Sequence, residues 1–202
     1  MEAFAQAAAQ GADGVETDVR ISSDGFAVLV HDRVVADRSV KTMTRREIES
    51  ALGHEVPTLE AALARFPNFL WNVEIKTVDA LEPLLDTLAR CQVSQLLVTS
   101  FHHPVVAAVA ARLDIDCGLL FADRPLSLTA LIDRARARPR LRTLVWDFEI
   151  LDRELVEEAR RSGWRNFAYG METSEEHAAC VALGLEGIIT DHVELGLEAA
   201  GR

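Results

Sequence analysis

The feature that most limits what this chain can fold into is an alternation. Short runs of β-branched and aromatic residues are followed by longer stretches with helical periodicity. The strand candidates are GVETDV from Gly14, AVLVH from Ala27, WNVEI from Trp71, LLVTSF from Leu96, DCGLLF from Asp116, RTLVWDF from Arg142, NFAY from Asn166 and GIIT from Gly187. From Trp71 onward the starts lie 25, 20, 26, 24 and 21 residues apart, room for one strand, one loop and one helix per step. The helical stretches are Glu2–Gln10, Thr58–Phe66, Ala80–Arg90, Pro104–Leu113, Leu128–Ala137, Glu154–Ser162 and Ser174–Leu183. Thr173-Ser174-Glu175-Glu176 reads as a capping box. This alternation means a parallel sheet, either closed as a barrel or open and doubly wound. The open fold usually carries a glycine-rich phosphate loop after its first strand. Neither GxGxxG nor GxxxxGK[ST] occurs, so the barrel is favoured. At 202 residues the chain stands near the lower limit for such a barrel, and its first element is a helix.

The first two runs break the pattern. Only Ile21–Phe26 separates their cores, too little for a crossover helix. They form an antiparallel hairpin that turns at Ser22–Gly25 and projects beyond the barrel rim. With Ile21 paired to Phe26, His31 falls opposite Glu16 on the same face, and a slip of one residue would send it to the other.

Composition removes several classes of function. The 32 acidic and 21 basic residues leave a net charge of −11, a poor match for nucleic acid or an anionic membrane surface. No stretch approaches the apolar length of a membrane span, and MEAFAQAAAQ lacks the layout of a signal peptide. Cys91, Cys117 and Cys180 are too scattered for a disulfide framework or a zinc cluster, which fits a cytoplasmic protein in a reducing compartment. Of the basic residues 19 are arginine; the lysines are Lys41 and Lys76. So arginine-rich a chain keeps lysine where a compact ammonium is needed instead of a planar fork.

Glu16 and Asp18 stand two apart on a strand, so both carboxylates leave one face. A hard divalent cation such as Mg²⁺ or Ca²⁺ would offset their repulsion. In WNVEIK, Glu74 and Lys76 share a face by the same rule, and barrel strands present such residues at their C-terminal ends. Three carboxylates, a lysine and a histidine converging on one rim suit metal-assisted phosphoester chemistry.

These residues carry a resemblance. GADGVETDVRISSDGFAVLVHD, HEVPTLEAAL, NVEIK, TSF and GLEGIITD resemble, in order, the signature segments of the glycerophosphodiester phosphodiesterase family. The resemblance runs from about Ala3 to Asp191. It implies that Glu16, Asp18 and Glu74 are metal ligands, His31 the catalytic acid/base and Lys76 a phosphate contact. It implies hydrolysis of a glycerophosphodiester to an alcohol and glycerol 3-phosphate, in lipid and glycerol metabolism. Family members also carry a first strand ending in His-Arg-Gly, then a loop with Glu-Asn-Thr. That histidine is a second acid/base, that arginine holds phosphate, and that glutamate supports the metal. Neither motif is in this sequence, which is short of the family barrel by roughly 15–20 residues. Tyr169-Gly170-Met171-Glu172 replaces the family's Trp-Thr-Val-Asn, and the segment between His31 and Pro57 is short for the family's lid-like insertion.

The expected fold is therefore α/β: one domain over residues 1–202, a TIM-type (β/α)8 barrel lacking its first strand, with a β-hairpin projecting after the second. The partner is a small-molecule phosphodiester, with reduced turnover. A second copy of the chain is a candidate cover for the open seam. The alternative is a non-catalytic barrel that binds a phosphorylated ligand or a partner. Tyr169, at a strand end, either lines the mouth as a substrate contact or packs in the core. Trp71 and Trp146 are expected in the packing. His102 and His103 are adjacent and make a poor chelate, with His102 bordering the pocket. His54, His177 and His192 are expected at the surface, and Asp191 closes the last strand.

Overall fold

Each β-branched run forms a strand, and each periodic stretch between them forms a helix. The computed structural model describes every residue except Asp79, Ala80, Gln92, Ser94 and Arg136. The strands are β1 (Gly14–Ile21), β2 (Ala27–Leu29), β3 (Val34–Val35), β4 (Arg38–Ser39), β5 (Leu70–Ile75), β6 (Leu96–Ser100), β7 (Asp116–Phe121), β8 (Leu141–Asp147), β9 (Arg165–Tyr169) and β10 (Gly187–Ile189). The helices are α1 (Glu2–Gln10), α2 (Arg45–Leu52), α3 (Leu59–Arg65), α4 (Leu81–Arg90), α5 (His103–Arg112), α6 (Leu128–Ala135), α7 (Arg153–Arg161), α8 (Ser174–Ala182) and α9 (Val193–Ala199). Two helix expectations touch the undescribed positions: Ala80, the expected start of α4, and Arg136, near the expected end of α6, lie outside the described residues.

The main sheet has eight strands in the order β10-β9-β8-β7-β6-β5-β1-β2. Its neighbours are parallel except β1 and β2, which run antiparallel as the short connection requires. Parallel strands covered on both faces are buried along their length: Cys117–Phe121 reads as an apolar run, and Trp71–Ile75 is buried throughout even though Asn72 and Glu74 are polar. Trp71 and Trp146 are fully buried in the packing as expected, their indole N–H groups donating to Phe66 O and Asn166 Oδ1.

Among the described residues, β1 and β10 do not pair with each other. The curled sheet therefore has a seam between the Gly14–Asp18 stretch of β1 and the edge of β10. Beyond Asp18, β1 continues out of the barrel and pairs with β2 through Val19↔Leu29, Arg20↔Val28 and Ile21↔Ala27. The expected pairing of Ile21 with Phe26 is corrected by one residue. Ser22 and Phe26 instead close the turn: Ser22 N–H donates to Phe26 O, and Phe26 N–H donates to Ser22 Oγ.

Outside the barrel the hairpin builds a satellite core of Val28, Val30, Val35, Val40, Met43, Ile48 and Val56. A helix not anticipated there, α2, starts with a capping box between Thr44 and Glu47. The expected box at Thr173 and Glu176 also forms. A third small cluster, Ala168, Met171 and Cys180, sits between β9 and α8, with Ile188 of β10 against it.

Candidate active site

The parallel ladder of β1 and β5 sets Asp18 against Glu74 and Glu16 against Asn72. Period-two alternation puts Glu16, Asp18 and Arg20 on one side of β1 while Thr17, Val19 and Ile21 are buried on the other. Oxygens of Glu16, Asp18 and Glu74 come within 4.8 Å of one another. Two oxygens bound to a single ion at about 2.0–2.6 Å can stand no more than about 5 Å apart, so the three can share one divalent cation. Lys76 Nζ lies 2.6 Å from Glu74 Oε1 and 3.1 Å from Asp18 Oδ1. Three carboxylates against one ammonium leave an excess of two negative charges.

The electrostatics show how poorly that excess is met. Burial, reinforced by the charges of Asp18 and Glu74, pushes the Glu16 carboxyl up to about 8. Burial also raises Glu74, against the hydrogen bond and charge of Lys76. Burial pulls on Lys76 the other way, yet the hydrogen bond to Glu74 and the charges of both carboxylates hold its pKa above the usual lysine value. Glu16 Oε1 is buried with no hydrogen-bond partner. An orphaned carboxylate oxygen within an all-oxygen donor set is what a hard cation would satisfy, and the residues fit one.

His31 follows β2 at an exposed position, its Nδ1 3.0 Å from Asp32 Oδ1. The corrected register did not exile it, because pairing stops at Leu29 and the chain then leaves the ladder. Arg20 guides it back: its Nε and Nη2 donate to His31 O at 2.9 and 2.8 Å, and Nη1 donates to Lys76 O at 2.9 Å. His31 consequently lines the same cleft as the carboxylates and Lys76. Arg20 was missed, though its signal was present: it is the next same-face residue after Glu16 and Asp18.

Tyr169 also lines the cleft, with its ring edge-on to Phe101 at 6.0 Å and its hydroxyl donating to Phe121 O at 3.3 Å. Burial, with Asp147 beside it, raises the phenol pKa. Phe101 faces Lys76 Nζ at 5.8 Å. Asn72, two residues before Glu74, is buried and accepts from Thr99 Oγ1 at 2.8 Å. Asp191 lines the cleft near the last strand and adds to the negative field on Glu16. The whole cleft encloses about 1350 Å³ and runs from this cluster along the seam past α1, β10 and α9.

Of the remaining histidines, His192 also lines the cleft. His102 is an exposed cap of α5, and His103 Nε2 meets Leu120 O at 2.8 Å. His54 and His192 are exposed. His177, expected at the surface, is fully buried: Nδ1 contacts Thr173 O at 2.7 Å and Nε2 contacts Thr190 Oγ1 at 2.8 Å. Both ring nitrogens have partners, which permits the burial.

Residues 1–195 match the model of the glycerophosphoryl diester phosphodiesterase family. A glycerophosphodiester phosphodiesterase of Caldanaerobacter subterraneus subsp. tengcongensis is 30% identical over 95% of this chain and 87% of its own length. A Mycobacterium tuberculosis protein named probable glycerophosphodiester phosphodiesterase 2 is 36% identical, over 50% of this chain and 42% of its own. An Oleispira antarctica phosphodiesterase, solved in complex with the product sn-glycerol-3-phosphate, superposes with a TM-score of 0.84 at 18% identity, covering 98% of this chain and 89% of that one.

Proposed function

The chain belongs to the glycerophosphoryl diester phosphodiesterase family, and from that premise we propose that it hydrolyses a glycerophosphodiester to an alcohol and glycerol 3-phosphate, with one divalent cation, Mg²⁺ or Ca²⁺, held by Glu16, Asp18 and Glu74. The observation that carries this reading is the convergence of those carboxylates around an unsatisfied Glu16 oxygen, with Lys76 beside them. When bound, the cation supplies Lewis-acid polarisation of a phosphoryl oxygen.

The chain's own residues do the rest. Lys76 offers its ammonium to a non-bridging phosphate oxygen, and its raised pKa keeps it charged at neutral pH. Asp32 against Nδ1 orients the His31 ring, so that Nε2 is the atom that moves a proton to or from the reacting oxygens. Arg20 holds the His31 and Lys76 main chains together, fixing the spacing between the proton carrier and the phosphate lysine. Tyr169 and Phe101 give an aromatic wall for the glycerol or alcohol moiety.

The test is release of choline from glycerophosphocholine by the purified chain, with and without added divalent metal. Metal-dependent release of choline and glycerol 3-phosphate is expected. No release over a range of Mg²⁺ and Ca²⁺, with glycerol 3-phosphate still binding, would favour a non-catalytic binding barrel.

A further inference from the structure

Among the described residues β10 has a neighbouring strand on one side only, and its ladder with β9 stops at Ile189. Thr190, Asp191 and His192 then turn the chain into α9, and all of them line the cleft. Asp191 shares that cleft with Glu16. After burial and the charges of Asp18 and Glu74, it is a further group that raises the Glu16 carboxyl. The place of Asp191 therefore matters to the carboxylate cluster, yet its turn lies beyond the ladder.

His177, at the start of α8, reaches this turn. Its ring is fully buried and is not among the described lining of the cleft. Thr173 O can only accept, so the 2.7 Å contact places a hydrogen on Nδ1. The same carbonyl accepts the His177 main-chain N–H at 3.1 Å, which ties the ring to the first turn of α8. Nε2 of the neutral ring is then an acceptor, and Thr190 Oγ1 lies 2.8 Å away. That hydroxyl accepts from His192 N–H at 3.0 Å and has its own hydrogen to donate. A directed chain results, from His192 N–H through the Thr190 hydroxyl to the His177 ring and on to Thr173 O. Its two ends at the turn, Thr190 and His192, flank Asp191. Helix α9 closes over it at Gly196, where an added Cβ would stand 3.2 Å from Ile188 Cδ1, 3.5 Å from Thr190 Cγ2 and 3.9 Å from His177 Cδ2. A buried histidine needs a partner for each ring nitrogen. One nitrogen anchors this ring to α8, and the other holds the turn.

We propose that His177 is a positioning residue for the carboxylate site: through the Thr190 hydroxyl it fixes the turn after β10, so that Asp191 keeps its place in the cleft and its charge assists cation binding by Glu16, Asp18 and Glu74. The proposal rests on the cation reading of that cluster. Asp191 acts at a distance, as a charge, outside the three carboxylates whose oxygens converge.

Two variants that each lose one hydrogen bond separate positioning from packing. In His177→Asn the amide stands in for Nδ1, keeping Thr173 and giving up Thr190. In His177→Gln it stands in for Nε2, keeping Thr190 and giving up Thr173. Thr190→Val removes the hydroxyl with the ring in place, and it decides the matter if His177→Asn does not fold. Amide hydrogen exchange of the metal-free protein is the first readout. Residues 188–196 should exchange at least about tenfold faster in His177→Asn and Thr190→Val, and near the wild-type rate in His177→Gln. Equal exchange in wild type and Thr190→Val overturns the proposal. Calorimetric titration with Mg²⁺ and with Ca²⁺ is the second readout. Asp191→Asn and Thr190→Val should each weaken binding about threefold, a long-range charge effect that shrinks as salt is added. The double variant should bind no more weakly than Asp191→Asn alone. Additive losses, or an affinity that Thr190→Val leaves unchanged, also overturn the proposal. If the wild type binds neither ion, the cation reading fails and takes the role of Asp191 with it, while exchange still decides whether His177 holds the turn.

Discussion

Glu16 is the residue at which the carboxylate cluster is least satisfied, and the sharpest expectations follow from it. Glu16→Gln and Glu74→Gln should each weaken divalent-metal binding by tenfold or more in a calorimetric titration. Glu154→Gln, on α7 and away from the cluster, should leave it unchanged. Equal affinities in all the variants would mean that no ion sits among these carboxylates. Lys76 calls for a different readout. If it serves the phosphate, Lys76→Ala weakens glycerol 3-phosphate binding about tenfold and spares the fold. A purely structural ion pair with Glu74 would instead show as a lower melting temperature with unchanged ligand affinity. Lys76→Arg should not restore binding in full, because a planar fork is larger than the ammonium it replaces. The carboxylates and lysine were legible because period two is rigid on a strand: fixing one residue fixes its neighbours two away. His177 was not, because burial of a histidine depends on partners from elsewhere, Thr173 O and Thr190 Oγ1, which no local pattern announces.

Elements were legible where periodicity is strong and obscure where they are short. The eight expected strands all form, since each carries an apolar run that must be covered. The small hairpin of β3 and β4 was missed: two-residue strands have no period to read. Its turn also lacks the usual residues, for Ala36 and Asp37 both sit at positive φ, 45° and 60°. A left-handed alanine costs roughly 1 kcal/mol or more, so Ala36→Gly should raise the stability of the hairpin by about 0.5 kcal/mol after glycine's own entropic cost; a lower denaturation midpoint would count against it. Helix α2 was missed although Thr44-Arg45-Arg46-Glu47 carries the same signature as the box at Thr173. Thr44→Ala should cost about 0.5–2 kcal/mol. The hydrogen bonds from Thr44 hold the exposed Glu47 carboxyl down at about 2. A depressed carboxylate stabilises the fold above its unfolded value of 4.5, and that contribution is lost as pH falls through about 2. The melting temperatures of wild type and Glu47→Gln should therefore differ at neutral pH and converge as the solution is acidified. The hairpin register slipped by one because the turn, not the strands, decides it, and Ser22 binds its own partner across five residues.

At the scale of the whole molecule, the decisive feature is the seam. A closed barrel has no edges, whereas here Gly14–Asp18 of β1 and the outer side of β10 keep unpaired backbone groups facing a cleft. Among the described residues these edges border an open groove. A strand fused ahead of Met1 and seated parallel between β1 and β10 should raise both melting temperature and turnover; an unchanged melting temperature would show that the seam is no weakness. Sedimentation of the unfused chain would show whether a second copy covers the groove instead. The seam also gives the protein a reporter of its own motion. Cys180 is fully buried in the small cluster with Ala168 and Met171, close by the edge strand, and its thiol is pushed up to about 11 by burial and by Glu176. Cys117 is buried deep in the closed side of the sheet. A soluble disulfide reagent can reach either sulfur only when the surrounding structure parts, so the labelling rate of each measures how often its own region opens. Cys180 should react well ahead of Cys117, and the interval between them would time the breathing of the unpaired edge against the unfolding of the rest.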